Sequence, residues 1–377
     1  MRIENGYAKE IKIAYIGGGS RGWAWGLMSD LAAEEKLSGK VYLYDIDQEA
    51  ADKNEVIGNK LRGRADVKGD WEYIACKTRK EALEGADVVV ISILPGTFDE
   101  MESDVHAPEQ FGVYQPVGDT TGPGGLLRAL RTGPMFQVIA KDIAAYCPGA
   151  IVINYTNPMA LCIRVLYDTF PAIKAVGCCH EVFHTQSLLC KALAEFEGIE
   201  NVTRQDLQIT VQGVNHFTFI TKASYRGIDL YPVYEKFCDK YAENGYTEGN
   251  DDNWMNRFFE SAQMVKIDLF RRTGQIAAAG DRHLAEFNPA ARYLASPEKA
   301  LSYKFTLTPV SWRKGNMKNL LEKSARLYSG EETFELKQTG EEGVQMIKAF
   351  TGLQKLVSNV NMPNIGQITN LPLGTVV

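Results

Sequence analysis

The feature that most constrains the fold is a β-branched run that ends directly in a glycine-rich turn. Residues 11–16 (IKIAYI) lead into GGGSRG, which contains Gly17, Gly19 and Gly22, and apolar residues then recur at helical spacing. A second apolar run, 41–45 (VYLYD), ends in Asp45. A strand, a glycine turn, a helix and an acid at the end of the next strand are typical of a doubly wound parallel sheet that binds a dinucleotide.

The same pattern indicates which dinucleotide would bind. The glycines let the backbone approach a pyrophosphate at the N-terminus of the helix, and Asp45 would accept hydrogen bonds from the ribose hydroxyls. An acid at this position, without a neighbouring arginine, favours NAD over NADP. Asp47 is the less favoured substitute for Asp45, and a tight turn that binds nothing is the structural alternative.

Three further apolar runs predict buried strands of the same sheet. Residues 86–94 lead to Pro95, residues 150–154 end at Asn154 with Asn157 close behind, and residues 172–178 precede Cys179. Because the carboxyl ends of parallel strands meet at one edge of a sheet, we expect all these side chains to face one crevice. An Asn-Pro helix start is the alternative interpretation of the two asparagines.

The segment 175–184 (AVGCCHEVFH) places thiol, imidazole and carboxylate groups side by side. Cys179 and His180 suit metal-assisted chemistry, whereas Cys178 is expected in the core and is only the alternative ligand. His216, after another apolar run, could complete a Cys/His metal pair, although a lone histidine is more often a core residue. The segment also matches the two-histidine helix of zinc proteases, but its direct emergence from a strand argues against that interpretation.

From about residue 232 the sequence changes to amphipathic helices, interrupted by a polar loop at 244–253. The segment 276–289 (IAAAGDRHLAEFNP) concentrates charged and imidazole groups. We therefore predict an α/β protein with two domains: a Rossmann-type NAD-binding domain over 1–200, and over 201–377 a second mixed α/β domain for substrate, metal and oligomer contacts. The apolar C-terminal sequence leads us to expect that the chain is cut short there.

Composition excludes several classes of partner. The net charge is −6 and the basic residues are dispersed, so we expect no nucleic acid and no anionic membrane as partner. The polar N-terminus is no signal peptide, and no apolar run is long enough to span a bilayer. Seven cysteines without disulfide-framework spacing suit a reducing compartment, and a cytoplasmic location follows as the expectation.

The ordered motifs GGGSRG, TTGPGGLLRALRTGP, NYTNP, CCHEV, VQGVNHFTF and AAAGDRHLAEF resemble glycoside hydrolase family 4, the NAD- and divalent-metal-dependent glycosidases. The resemblance covers nearly the whole chain. It implies oxidation of the sugar at C3 by NAD⁺, removal of the C2 proton, elimination of the aglycone, addition of water and return of the hydride. It also implies a homodimer or homotetramer.

The resemblance implies roles for several of the candidate residues. Cys179 and His216 would be the ligands of Mn²⁺ or another divalent ion, and His180 the leaving-group acid, which must be charged to act. The neighbouring Glu181 would favour that charged form. The resemblance also implies Asp281 as the C2 base, Asn157 at the sugar 3-hydroxyl, and Asn154 at the cofactor or behind a residue that contacts it. Pro95 is expected beside the cofactor from its place at a strand end, and we expect His283 with Arg282 at the substrate.

The CHEV form of the cysteine motif resembles the branch that acts on α-galacturonides, with Arg282 as the expected partner of the uronate carboxylate. An α-galactoside, an α-glucoside or a 6-phospho-glycoside remains an alternative substrate within the family. Outside it, the alternatives are an NAD-dependent 2-hydroxy-acid dehydrogenase and a non-catalytic NAD-binding protein.

Overall fold

The computed structural model describes residues 1–247 and 261–377, so the predicted polar loop at 244–253 lies outside the described residues from position 248 onward. The chain forms two compact units, each assembled from three segments. The first comprises Met1–Pro95, Arg131–Cys178 and Lys314–Met362, and the second comprises Gly96–Leu130, Cys179–Arg313 and Pro363–Val377. These units differ from the expected division at residue 200, because the chain returns to the first unit after Arg313; a functional boundary there stays a prediction.

The strands of the described residues, in chain order, are β1 (Arg2–Glu4), β2 (Tyr7–Ile16), β3 (Leu37–Tyr44), β4 (Asp70–Cys76), β5 (Val88–Ile91), β6 (Ile151–Asn154), β7 (Lys174–Cys178), β8 (Gln208–Val214), β9 (Phe217–Tyr225), β10 (Ile228–Asp229), β11 (Ile276–Ala277) and β12 (Val360–Asn361).

The α-helices of the same residues are α1 (Trp23–Ala33), α2 (Gln48–Asn59), α3 (Arg79–Leu83), α4 (Phe98–His106), α5 (Gly122–Tyr146), α6 (Met159–Thr169), α7 (Glu181–Glu197), α8 (Tyr231–Tyr241), α9 (Met264–Thr273), α10 (Asp281–Glu286), α11 (Ala290–Tyr293), α12 (Pro297–Ser302), α13 (Val310–Ser329) and α14 (Gly343–Phe350). Among these residues no helix is long and apolar enough to cross a bilayer.

The first unit is built on a parallel sheet in the order β7-β6-β5-β2-β3-β4, with β12 added antiparallel beyond β7 and β1 paired antiparallel with β2. This order reverses between β2 and β5, as in Rossmann folds, and confirms the predicted fold class. Ile13, Ala14, Tyr15 and Ile16 of β2 are all buried although they alternate between the two faces. A central strand covered on both faces by helices requires such a continuous apolar run.

The second unit contains an antiparallel sheet in which β9 pairs with β8, β10 and β11. Leu189 and Leu193 of α7, Tyr234 and Phe237 of α8 and Ile220 of β9 share one buried core. Helices therefore cover the sheet through their apolar stripes, in agreement with the predicted mixed α/β character.

Candidate active site

The glycine turn of the first unit leaves no room for a side chain at its first position. Gly17 has φ +98°, and a Cβ there would lie 1.9 Å from the carbonyl oxygen of Ser92, the residue that follows β5. The backbone N–H groups of Gly17 and Gly18 both donate to the Tyr44 carbonyl, at 2.9 Å. Ser20 lies within the turn, and its Oγ accepts from the N–H of Trp23, the first residue of α1, at 3.1 Å. Gly22 precedes α1 directly, and no atom lies within 4 Å of where its Cβ would be.

Asp45 follows β3 directly and lies against this turn. Its carboxylate accepts from the N–H of Gly19 at 2.9 Å and from the N–H of Asp47 at 3.0 Å. Asp47 is occupied differently: it caps α2 through the Ala50 N–H at 3.1 Å, and its carboxylate lies 3.4 Å from the Arg21 guanidinium. The preference for NAD over NADP was argued from the absence of a neighbouring arginine. Arg21 does lie near Asp45 in the structure, but it is paired with the Asp47 carboxylate. The glycine turn at residues 17–22, which we call the cradle, and Asp45 fit the diphosphate and ribose of a dinucleotide.

Asn154 organises the turn that follows β6. Its amide donates to the Thr156 carbonyl at 3.0 Å, and its Oδ1 accepts from the Thr156 N–H at 3.1 Å. Thr156 Oγ1 in turn accepts from the N–H of Ile93 at 2.9 Å, which ties this turn to the segment leading to the buried Pro95. Asn154 therefore shapes the carboxyl edge of the sheet, and half-buried Asn157 is carried by the turn that it fixes.

In the second unit a pair of histidines forms the centre of the candidate site. His216 lies in the turn between β8 and β9, and its ring stacks on that of His283 from α10, with 3.8 Å between ring centroids. Glu181, the first residue of α7, has its carboxylate 3.7 Å from His283 Nε2 and accepts from the Gly280 N–H at 2.7 Å. Glu181, two positions after Cys179, is therefore linked to His216 through the side chain of His283.

Burial and neighbouring charges decide the ionisation of this cluster. Burial, with His283 beside it, lowers the pKa of His216 to about 3, so its imidazole is neutral near pH 7. Burial opposes ionisation of Glu181, but His283, His180 and His216 outweigh it and hold the pKa of that carboxyl well below its usual range. A neutral imidazole is the form that binds a metal ion, so the chemistry of His216 fits the predicted ligand role.

Cys179 follows β7 and is half-buried, and His180 is the residue immediately before α7. The rings of His180 and His184 meet edge to face at 5.4 Å, and the Glu181 carboxylate between them in sequence accepts from the Gly280 N–H. In the described ranges no three or more His, Cys, Asp or Glu side chains are arranged to hold a metal ion. Cys179 and His216 as the two protein ligands remain a prediction, and the protease interpretation receives no support.

Asp281 is fully buried at the start of α10 and accepts from the N–H of Lys266 at 3.1 Å. Burial raises its pKa to about 6, and its Oδ2 has no hydrogen-bond partner among the described residues. This oxygen and a pKa near neutrality are compatible with a general base. The bond to Lys266, in the first turn of α9, also gives Asp281 a structural role that the sequence did not suggest.

Arg282 is engaged by protein groups. Its Nε donates to the Thr306 carbonyl at 3.1 Å, and its Nη2 donates to Thr308 Oγ1 at 3.0 Å and to the Pro116 carbonyl. These two nitrogens are committed to the chain itself, and the expected contact of Arg282 with a substrate carboxylate stays a prediction. The sequence could not show these hydrogen bonds because the accepting residues are up to 166 positions away.

Two further groups of this site were not among the predicted residues. Thr120 Oγ1 lies 3.4 Å from His216 Nδ1 and donates to Asp119 Oδ1 at 2.8 Å. Burial would raise the pKa of Asp119, but His283, Arg128 and His216 outweigh burial and lower it. The glycine-rich stretch around these residues was the available signal, since such loops often carry functional side chains. Glu286, at the end of α10, belongs to the segment 276–289, and no role of its own was predicted for it from the sequence.

Comparison with known proteins identifies the family of the chain. The family 4 glycosyl hydrolase model matches residues 12–195, and the model of that family's C-terminal domain matches residues 211–377. An α-galacturonidase of Thermoanaerobacterium saccharolyticum is 63% identical over 377 residues, which are 100% of this chain and 81% of that protein.

Solved structures agree with this match. A Bacillus subtilis crystal structure described as a glucosidase has a TM-score of 0.91 and 52% sequence identity to this chain. The match covers 98% of this chain and 83% of the chain in that structure. A 6-phospho-α-glucosidase from gut microorganisms, in complex with NAD and Mn²⁺, has a TM-score of 0.73 at 20% identity, with 98% and 80% covered, and shows the shared fold. This chain belongs to glycoside hydrolase family 4 and is a glycosidase.

Proposed function

We propose that the protein is an α-galacturonidase that works with NAD⁺ and Mn²⁺ or another divalent ion. The observation that carries the proposal is the 63% identity to an α-galacturonidase along the whole chain. The dinucleotide cradle of the first unit and the neutral His216 of the second unit support the two cofactors. When bound, NAD⁺ supplies a hydride acceptor and the divalent ion supplies a Lewis acid.

The residues of the chain bind and orient these groups. Gly17 and Gly19 admit the diphosphate to the start of α1, and Asp45 holds the ribose hydroxyls. Cys179 and His216 hold the divalent ion, and Asn157 contacts the sugar 3-hydroxyl. The stack with His283 fixes the plane of the His216 ring, so that its lone pair keeps one direction.

Proton transfer is assigned to His180 and Asp281. Ionised Glu181 favours the charged form of its neighbour His180, which can then protonate the leaving oxygen at C1. Asp281, with a pKa of about 6, is the proposed acceptor of the C2 proton through Oδ2, its oxygen without a hydrogen-bond partner among the described residues. A substrate that reaches this buried oxygen would find it already partly desolvated.

The test compares aryl α-galacturonide with aryl α-galactoside, α-glucoside and 6-phospho-α-glucoside, each with NAD⁺, Mn²⁺ and a thiol reductant. We expect turnover of the galacturonide and little or none of the others. Cleavage of a neutral or phosphorylated glycoside in its place contradicts the substrate assignment. Stoichiometric accumulation of NADH would indicate the dehydrogenase alternative, and NAD⁺ binding without turnover of any glycoside would indicate the non-catalytic one.

The proposal includes a homodimer or homotetramer and a cytoplasmic location, where a reducing environment keeps the Cys179 thiol available to a metal. Light scattering after size-exclusion chromatography measures the oligomeric state. Fractionation of the source cells tests the cytoplasmic location. A monomer would contradict the proposed assembly.

A further inference from the structure

We infer that Glu286 and Arg282 are positioning residues for the reaction: from α10 they clamp residues 116–118 and thereby fix Asp119 and Thr120 beside His216. The inference rests on the proposed function only for its activity readout. Its structural part concerns bonds within the second unit and is measured separately.

Glu286 is the acceptor side of the clamp. One oxygen of its carboxylate, Oε1, accepts from the backbone N–H of Val117 at 2.8 Å and from that of Gly118 at 2.7 Å. The other oxygen, Oε2, is buried without a hydrogen-bond partner in the described part of the chain. A buried carboxylate that spends one oxygen on two consecutive amides holds that stretch of backbone in one conformation.

Arg282 is the donor side of the clamp. Four positions before Glu286, it lies on the same face of α10, and its Nη2 donates to the carbonyl of Pro116. Thr308, which is buried, also donates to that carbonyl, and the Arg282 guanidinium bonds Thr308 Oγ1 at 3.0 Å. The two consecutive peptide units that join Pro116, Val117 and Gly118 are therefore held by two side chains of one short helix, and Thr308 adds a second bond to the Pro116 carbonyl.

The clamped stretch leads directly to the site. Gly118 has φ +70°, which turns the chain so that the next residues, Asp119 and Thr120, come next to His216. Helix α10 also carries His283, which stacks on His216. The same helix therefore fixes the ring on one side of His216 and, through the clamp, the hydroxyl and carboxylate near its Nδ1. If residues 116–120 moved, His216 would lose its contact with Thr120 but keep its stack on the His283 ring.

The structural test measures hydrogen exchange of the Val117 and Gly118 amides in the full chain. In the wild type both amides are expected to be protected, and Glu286→Ala should speed their exchange at least tenfold. Glu286→Gln retains Oε1 as an acceptor and should keep the protection. Glu195→Ala is the matched control, because it removes a glutamate that bonds Lys240 and Tyr241 near the far end of α7 and should leave both amides protected.

The functional test measures kcat and KM on aryl α-galacturonide with saturating NAD⁺ and Mn²⁺. We expect kcat to fall at least tenfold in Glu286→Ala, to stay within threefold of wild type in Glu286→Gln, and to be unchanged in Glu195→Ala. Thr308→Val, which keeps shape and charge, should lower kcat by a smaller factor and serves if Glu286→Ala does not fold. NAD⁺ affinity should be unchanged in every variant.

Unprotected amides with a wild-type kcat in Glu286→Ala would overturn the inference, and so would amides that stay protected in that variant. A Glu286→Gln enzyme with protected amides but a kcat as low as that of Glu286→Ala would also overturn it, because the charge of Glu286 would then matter and not its position. An inactive wild type with amides that respond as expected would refute the proposed function and leave the clamp standing.

Discussion

Replacing Gly17 by alanine tests the cofactor cradle most sharply, because the structure shows what the added methyl group meets. At φ +98° the new Cβ would lie 1.9 Å from the Ser92 carbonyl oxygen and 2.7 Å from its carbonyl carbon. Ser92 cannot yield easily, since its own N–H donates to the Ile16 carbonyl at 2.9 Å. The turn must therefore move away from β5.

The matched control is Gly63→Ala. Gly63 also has a positive φ, +77°, but no atom lies within 4 Å of where its Cβ would be. Both variants incur the backbone cost of a left-handed residue, about 1–2 kcal/mol. Only Gly17→Ala adds the overlap, for which overpacking of a tight site suggests a further ~1–3 kcal/mol. The difference between the variants isolates the collision from the backbone cost.

The assays are the urea dependence of unfolding and the calorimetric titration of NAD⁺. We expect Gly17→Ala to lose about 2–5 kcal/mol of unfolding free energy and Gly63→Ala about 1–2 kcal/mol. Gly17→Ala should also bind NAD⁺ at least tenfold more weakly, a loss of about 1.4 kcal/mol, with Gly63→Ala unchanged. Equal loss of stability in the two variants together with equal NAD⁺ affinity would refute the assignment of the turn as a cofactor cradle.

Two further predictions concern the second unit. Burial raises the pKa of Glu286 from 4.5 to about 7, so this group favours the folded state below pH 4.5, and that contribution is lost as pH rises through 7. The unfolding free energy of the wild type should fall by up to about 3 kcal/mol relative to Glu286→Gln between pH 4.5 and 8, and parallel pH profiles would contradict the shift. Cys179→Ser and His216→Gln should each weaken Mn²⁺ binding, followed by electron paramagnetic resonance, at least tenfold without changing NAD⁺ affinity. Cys190→Ser is the thiol control, and wild-type Mn²⁺ affinity in both ligand variants would disprove the proposed ligand pair.

Local pattern was sufficient for the parallel sheet of the first unit, although not for its return segment Lys314–Met362. The apolar run 11–16 lies within β2, and Asp45 follows β3 directly, because a buried parallel strand must be continuously apolar and its end is marked by glycine or a polar residue. The cradle is local as well: turn, helix start and strand-end acid are all within about thirty residues, which is the length of one βαβ unit.

The second unit was less readable because its site depends on contacts between distant residues. Glu286 bonds the amide of Val117, 169 positions earlier, and no periodicity records such a pairing. Guanidinium groups suit the binding of a carboxylate, which is the role predicted for Arg282, but the sequence does not show that its Nε and Nη2 also donate to Thr306, Pro116 and Thr308 of the chain itself. Sequence indicates which side chains can do chemistry, whereas tertiary structure decides which of them are occupied in holding the others.

The most direct test of the account is the fate of the hydrogen at C2 of the sugar. Hydrolysis of an α-galacturonide in deuterated water, with NAD⁺ and Mn²⁺ present, should yield galacturonate that carries deuterium at C2, with no net formation of NADH. Full turnover with no deuterium at C2 would contradict the account, because the bond would then be cleaved without the oxidation and proton removal assigned to this site.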